Sequence, residues 1–142
     1  MRRLGFLVLT VWATTLWAVP ASPARAAELV YFYSDACTVC ERWNEEVGGI
    51  YNKTEEAQRL TLRRQNIHED KPADLAFVKA VTFTPTFVAI EEGREVGRMV
   101  GYISDYFFWE QMSGLIKKAD AAKQARLTAC SEPGAQEAGR TC

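Results

Sequence analysis

The stretch Leu29-Val30-Tyr31-Phe32-Tyr33-Ser34-Asp35-Ala36-Cys37-Thr38-Val39-Cys40 decides how the rest of this chain is read. Its first five residues are aliphatic or aromatic without a polar break, the composition of a strand buried on both faces. Ser34-Asp35-Ala36 turns the chain. From Thr38 onward Val39, Cys40, Trp43, Val47, Ile50 and Tyr51 recur at steps of three and four, the period of an amphipathic helix. Two cysteines two residues apart therefore stand where a buried strand hands over to a helix. Backbone N–H groups and the dipole at such a helix start stabilise a thiolate at the first cysteine. Cys37 is thus the candidate nucleophile. It would attack a client disulfide to give a mixed disulfide, which Cys40, one turn further in, resolves by attacking the Cys37 sulfur. The reverse sequence oxidises a client.

Two other readings of the pair exist: a zinc site completed by Cys130 and Cys142, or a passive structural bridge. Zinc pairs usually sit in paired knuckles, and a bridge spanning three residues closes too small a loop to stabilise much. The strand-turn-helix context favours redox chemistry, in which the cysteines themselves carry the electrons and no bound cofactor or metal is required.

Downstream, Thr54-Glu55-Glu56 can cap a brief helical turn, and the partial alternation of Leu60 to Ile67 suits a second strand. His68-Glu69-Asp70-Lys71-Pro72 breaks it. Leu75, Ala76 and Val78 predict a short helix over Ala73 to Lys79, leading through Val81-Thr82-Phe83-Thr84-Pro85 into a third strand, Thr86 to Ile90. Glu91-Glu92-Gly93-Arg94 supplies a hairpin, and Glu95 to Gly101 returns as strand four. Ser104 is a plausible N-cap for a last helix with Phe108, Met112, Leu115 and Ala119 on one face, ending in Lys117-Lys118. From Asp120 the composition turns to Ala, Gln, Glu, Gly and Arg, read as a flexible tail over 120–142.

The order strand, helix, strand, helix, hairpin, helix predicts an α/β domain: a four-stranded mixed sheet, its first two strands parallel, sandwiched by helices. On these motifs the sequence resembles the thioredoxin superfamily over roughly residues 29–119. The dithiol follows the first strand, Asn66-Ile67 ends the second, Thr84-Pro85-Thr86 sits where that family places its cis-proline, and Gly101-Tyr102-Ile103-Ser104 matches the glycine and cap before the last helix. The resemblance implies a thioredoxin fold lacking the initial strand and helix of full thioredoxin, and thiol-disulfide oxidoreductase activity. It also implies that Pro85 is cis and lies against Cys37 and Cys40, with the Thr84 backbone pairing to the client by strand addition. Phe83, immediately before that segment, is the candidate apolar contact for a client.

Departures from thioredoxin proper are equally specific. Thr38-Val39 replaces Gly-Pro, Ala36 replaces the preceding tryptophan, and Tyr31 aligns with the family's buried acid, which leaves the proton acceptor for Cys40 unidentified. Arg64 stands in place of a nearby lysine. The short core and the Tyr106-Phe107-Phe108-Trp109 run are similar to the periplasmic thioredoxins that accompany bacterial sulfur-oxidation systems. That similarity implies a reductive role toward a periplasmic protein's disulfide or mixed disulfide, with electrons from a membrane thiol transporter. An oxidase or isomerase, or a non-enzymatic module of the same fold that binds a metal or partner, remains an alternative. His68, the sole histidine, offers no Cys-His pair and reads as solvated loop.

Upstream of the deciding stretch, basic Met1-Arg2-Arg3, an apolar run from Leu4 to Val19, and small residues through Ala24-Arg25-Ala26 predict a cleavable signal peptide over 1–26, with no stable membrane insertion after cleavage. Residues 27–119 are then the domain, and the periplasm its compartment. Cleavage removes Arg2, Arg3 and Arg25 and no acid from totals of 17 basic and 18 acidic residues, leaving 14 against 18 and a net charge near −4. That balance disfavours nucleic acid as a partner. In an exported chain Cys130 and Cys142 could close a second disulfide loop.

Overall fold

The computed structural model describes residues 27–131. The predicted signal peptide and Cys142, and with it the possible Cys130–Cys142 loop, lie outside the described residues. The elements run β1 (Glu28–Tyr33), α1 (Thr38–Trp43), α2 (Glu55–Arg59), β2 (Thr61–Asn66), β3 (Thr86–Glu91), β4 (Arg94–Val100) and α3 (Asp105–Ser131). They build one four-stranded sheet in the order β2-β1-β3-β4. β1 pairs parallel with β2, in register Leu29 with Leu62, and antiparallel with β3, in register Tyr31 with Phe87. β3 and β4 form an antiparallel hairpin turned at Glu92 (φ 50°) and Gly93 (φ 70°), the left-handed pair that a tight two-residue turn requires.

Alternation along the two central strands sends side chains to two cores. Leu29, Tyr31, Phe87 and Ala89 face Trp43 and Val47 from the first helical run and Phe108, Met112 and Leu115 of α3. Val30, Phe32, Val88 and Ile90 face Leu75 and Val78 on the other side. The inner parts of both central strands, Leu29 to Tyr33 and Phe87 to Ile90, are therefore apolar without a break, as strands covered on two faces must be. The aromatic cluster Tyr31, Trp43, Phe87 and Phe108 has ring centroids 4.4 to 5.7 Å apart along its contacts and forms the centre of the larger core.

Three elements differ from the sequence expectations. The helix expected to run from Thr38 to Tyr51 is α-helical only to Trp43; Asn44–Gly48 widens into a π-turn, closed by Gly49 N–H to Asn44 O at 3.2 Å, and Tyr51–Lys53 is a 3₁₀ turn. The widening occurs where Gly48 and Gly49 weaken the helix, while Trp43, Val47 and Tyr51 all stay buried. The helix expected over Ala73 to Lys79 is a single 3₁₀ turn, Ala73–Leu75, because Leu75 and Val78 are its only buried residues and Phe77 faces solvent.

The third difference is a correction at the C-terminal end. No break falls at residue 119: α3 continues to Ser131. The low apolar content that predicts a loose tail from Asp120 does not break the helix, because the Ala, Gln, Lys, Arg and Leu of residues 120–131 carry strong helix propensity. Ion pairs from Asp120 to Arg59 and from Arg126 to Glu92 (2.5 Å) hold this segment against the domain.

Candidate active site

β1 ends by delivering the chain to a tight turn in which Cys37 N–H donates to Ser34 O at 3.1 Å. Cys37 is the N-cap of α1, with extended backbone angles, and its Sγ accepts the Cys40 N–H at 3.1 Å. Cys37 and Cys40 are joined in a disulfide with Cα atoms 5.2 Å apart. The two sulfurs differ in access: Cys37 is half-buried, whereas Cys40 is 2% exposed and belongs to the larger core. The Cys40 amide is thus aimed at the more open sulfur, and the geometry separates an accessible sulfur from a buried one.

Tyr31 lies directly beneath. Its hydroxyl donates to Cys40 O at 3.3 Å, its ring stacks on Phe87 at 5.0 Å, and burial pushes its pKa up to about 12. A phenol in that state is a hydrogen-bond donor and no general base at neutral pH. Arg64 covers this cluster from β2. Its guanidinium lies 5.3 Å from the Tyr31 ring centre and 5.6 Å from that of Trp43, and donates to Asn44 Oδ1 at 2.7 Å in the π-turn. Its role in the structure is to roof the aromatic core beneath the dithiol helix.

At the same end of the sheet, the Thr84–Pro85 peptide bond is cis and Pro85 is buried. The β1/β3 register, Phe32 opposite Thr86, brings the segment before β3 alongside the end of β1 that leads to Cys37. Thr86 Oγ1 donates to Phe83 O at 2.8 Å, and Gly101 N–H, at φ 84°, donates to Pro85 O at 2.7 Å, fixing the loop after β4 to this segment. Phe83 is 69% exposed, and Val100 and Ile103 beside the Gly101 turn are similarly open.

Sequence reasoning missed several residues that shape this end. Arg42 donates to Tyr102 O at 3.1 Å and lies 5.5 Å from the Tyr102 ring, while the Tyr102 hydroxyl is hydrogen-bonded to Glu46. Burial and the Glu46 carboxylate both raise the Tyr102 pKa. The helical run after the dithiol thereby grips the loop before α3. Asn66 donates to Asp35 Oδ2 at 3.0 Å, and His68 Nε2 lies 3.1 Å from Ser34 Oγ, so the end of β2 braces the turn ahead of Cys37. His68 is exposed, but it is not without a contact. Its spacing after Asn66 was the available signal, since a parallel β2 must end beside that turn.

The thioredoxin-like domain family matches residues 21–115 of the chain. Among solved structures, the periplasmic thioredoxin SoxS from Paracoccus pantotrophus, in its reduced form, is 34% identical with a TM-score of 0.62, covering 66% of this chain and 98% of that one. A thioredoxin from Thermus thermophilus is 25% identical with a TM-score of 0.56, covering 69% of this chain and 79% of its own. A protein named disulfide bond formation protein from Brevibacillus choshinensis is 23% identical over 105 residues, 74% of this chain and 85% of that protein. With an accessible Cys37 joined to a buried Cys40 at the head of a helix on this sheet, the chain belongs to the thioredoxin-like domain family and is a thiol-disulfide oxidoreductase.

Proposed function

We propose that the chain is exported through cleavage of residues 1–26 and works in the periplasm as a reductase of a narrow set of protein disulfides or mixed disulfides. A sulfur-oxidation protein is the proposed client, and a membrane thiol-electron transporter the proposed source of electrons. The observation that carries the reductive direction is the surroundings of Cys37 Sγ. Among the described residues its one hydrogen bond comes from the Cys40 amide, and the adjoining Asp35 and Glu41 are acidic and exposed. A strong oxidant requires a more stabilised thiolate than one amide beside two acids provides. The 34% identity to a periplasmic thioredoxin supports the compartment.

In the reductive cycle, the Cys37 thiolate attacks one sulfur of the client disulfide and expels the other as a thiolate. Cys40 then attacks Cys37 Sγ, the client's second sulfur leaves as a thiolate that takes up a proton, and the Cys37–Cys40 disulfide holds the two-electron oxidation. Phe83, Thr84 and Pro85 serve as the client platform, the Thr84 backbone adding as a short strand to the client segment and Phe83 offering an apolar face.

Equilibration with glutathione, read by mass after alkylation, tests the direction. The expected potential lies near the thioredoxin value of about −270 mV, and a value near the roughly −120 mV of a strong periplasmic oxidant would overturn the reductive reading in favour of disulfide formation. A Cys40→Ser chain, which stalls after the first attack, is expected to retain its client as a mixed disulfide for identification. Exported protein of unprocessed mass would reject the proposed cleavage.

A further inference from the structure

Tyr102 stands between the two halves of the site. Its neighbour Gly101, at φ 84°, donates its N–H to Pro85 O at 2.7 Å, which ties the turn after β4 to the cis-proline segment. Thr86 pairs with Val100 across β3 and β4, so the ladder ends where this turn begins and that one bond extends it. On its other side Tyr102 is tied to the helical run that starts at Cys37. Arg42 donates to Tyr102 O at 3.1 Å and sits 5.5 Å from its ring centre, and the Tyr102 hydroxyl donates to the Glu46 carboxylate. An unbroken line of contacts therefore runs from the dithiol helix through Tyr102 and Gly101 to Pro85 and the Thr84 backbone.

The surroundings of this line differ from ordinary core packing. Tyr102 is 7% exposed, yet the residues that hold it, Arg42 and Glu46, are both exposed, and contacts of exposed charged side chains contribute little to stability. Glu46 belongs to the π-turn over Asn44–Gly48, a departure from α-helix geometry that is rare and recurs at functional sites. Burial and the Glu46 carboxylate both raise the Tyr102 pKa, so the phenol remains a donor to Glu46 well above neutral pH. The turn that Tyr102 fixes is flanked by exposed Val100 and Ile103, at the same end of the sheet as exposed Phe83.

We propose that Tyr102 is a positioning residue for client binding: with Arg42 and Glu46 it locks the Gly101 turn, and through it Pro85, to the dithiol helix, so that a client strand laid along the Thr84 backbone meets Cys37 Sγ in register. A misplacement of about 1 Å between reacting atoms can cost about a hundredfold in rate, which is why the loop that carries the client has to be held to the helix that carries the nucleophile. The substrate class that gains from this line is an extended polypeptide disulfide or mixed disulfide. A small disulfide needs only an open Cys37 and gains nothing from it. The inference rests on the proposed role of Thr84 and Pro85 as the client platform.

Two probes with the same leaving group test it. One is an extended apolar peptide whose central cysteine is capped as a mixed disulfide with thionitrobenzoate, and the other is N-acetylcysteine amide capped in the same way. Each is mixed with the prereduced chain, and the thionitrobenzoate expelled when the Cys37 thiolate attacks the cysteine sulfur is followed by absorbance. The unsubstituted chain is expected to prefer the peptide about tenfold or more, the gain from two backbone hydrogen bonds. Tyr102→Phe is expected to shrink that preference about threefold or more, the share of one hydrogen bond, and Glu46→Ala to do the same. Glu46→Gln, which still offers the hydroxyl an acceptor, is expected to keep most of it. A preference untouched by Tyr102→Phe and Glu46→Ala overturns the positioning role, and should Tyr102→Phe not fold, Glu46→Ala, at an exposed position, decides alone. Equal rates of the two probes with the unsubstituted chain overturn the client platform itself, and the inference with it.

Discussion

Tyr31, which the thioredoxin resemblance sets in place of a buried acid, has its phenol held protonated by burial well beyond neutral pH. Tyr31→Phe is therefore expected to leave the pH profile of disulfide reduction unmoved between pH 5 and 9. It should lower stability by about 1 kcal/mol through loss of the hydrogen bond to Cys40 O. A shifted profile, measured by stopped-flow reduction of a model disulfide, would instead make the phenol a participant in proton transfer. Tyr31, Tyr51 and Tyr102 all have pKa values raised by burial. For such groups the stabilising contribution is fully present below the unfolded value near 10 and is lost as pH rises through the folded one, about 12 for Tyr31. Denaturant midpoints are thus expected to hold up to pH 10 and to fall beyond it. Cys37 and Cys40 were legible in the sequence because their chemistry is local to one turn. The Arg42–Tyr102 and Glu46–Tyr102 contacts were not, because 60 and 56 residues separate the partners and neither has a motif.

Among elements, the central strands were readable to within a residue, since an unbroken apolar run between turn signals admits few alternatives. The long α3 was half-read: its apolar period ends near Ala119, and propensity with two ion pairs, invisible to periodicity, carries it to Ser131. A chain ending at residue 119 is expected to keep disulfide reduction but to melt several degrees lower, with less helical signal by circular dichroism. Unchanged melting would mean that residues 120–131 contribute nothing. α3 also depends on a small residue beneath it. A Cβ at Gly97 on β4 would sit 2.7 Å from Leu115 Cδ2 and 3.2 Å from Lys118 Cδ. Gly97→Ala is accordingly expected to cost about 1–3 kcal/mol in denaturant unfolding, the range for overfilling a packed contact. The π-turn after α1 escaped the sequence because Trp43, Val47 and Tyr51 keep one buried face whether or not the helix widens between them.

At the scale of the whole molecule, one sheet separates two cores and puts the redox pair at one end and a cleft lined by Glu91, Asp120 and Arg126 at the other. Both cores share β1 and β3, so far-ultraviolet and near-ultraviolet signals are expected to report one coincident unfolding transition, and separated midpoints would show the layers melting independently. The order β2-β1-β3-β4 leaves β2 and β4 outermost, each with a row of backbone groups open to another chain. Those two strands carry Arg63 and Arg64 on one side and Arg94 and Arg98 on the other, whereas β1 and β3 between them carry no basic residue. Arg63 is paired with Asp74 and Arg98 with Glu95, but exposed Arg64 and Arg94 keep one cation on each margin, and that like charge opposes edge-to-edge growth between copies, a form of protection against fibrillar self-association that the apolar central strands could not supply themselves.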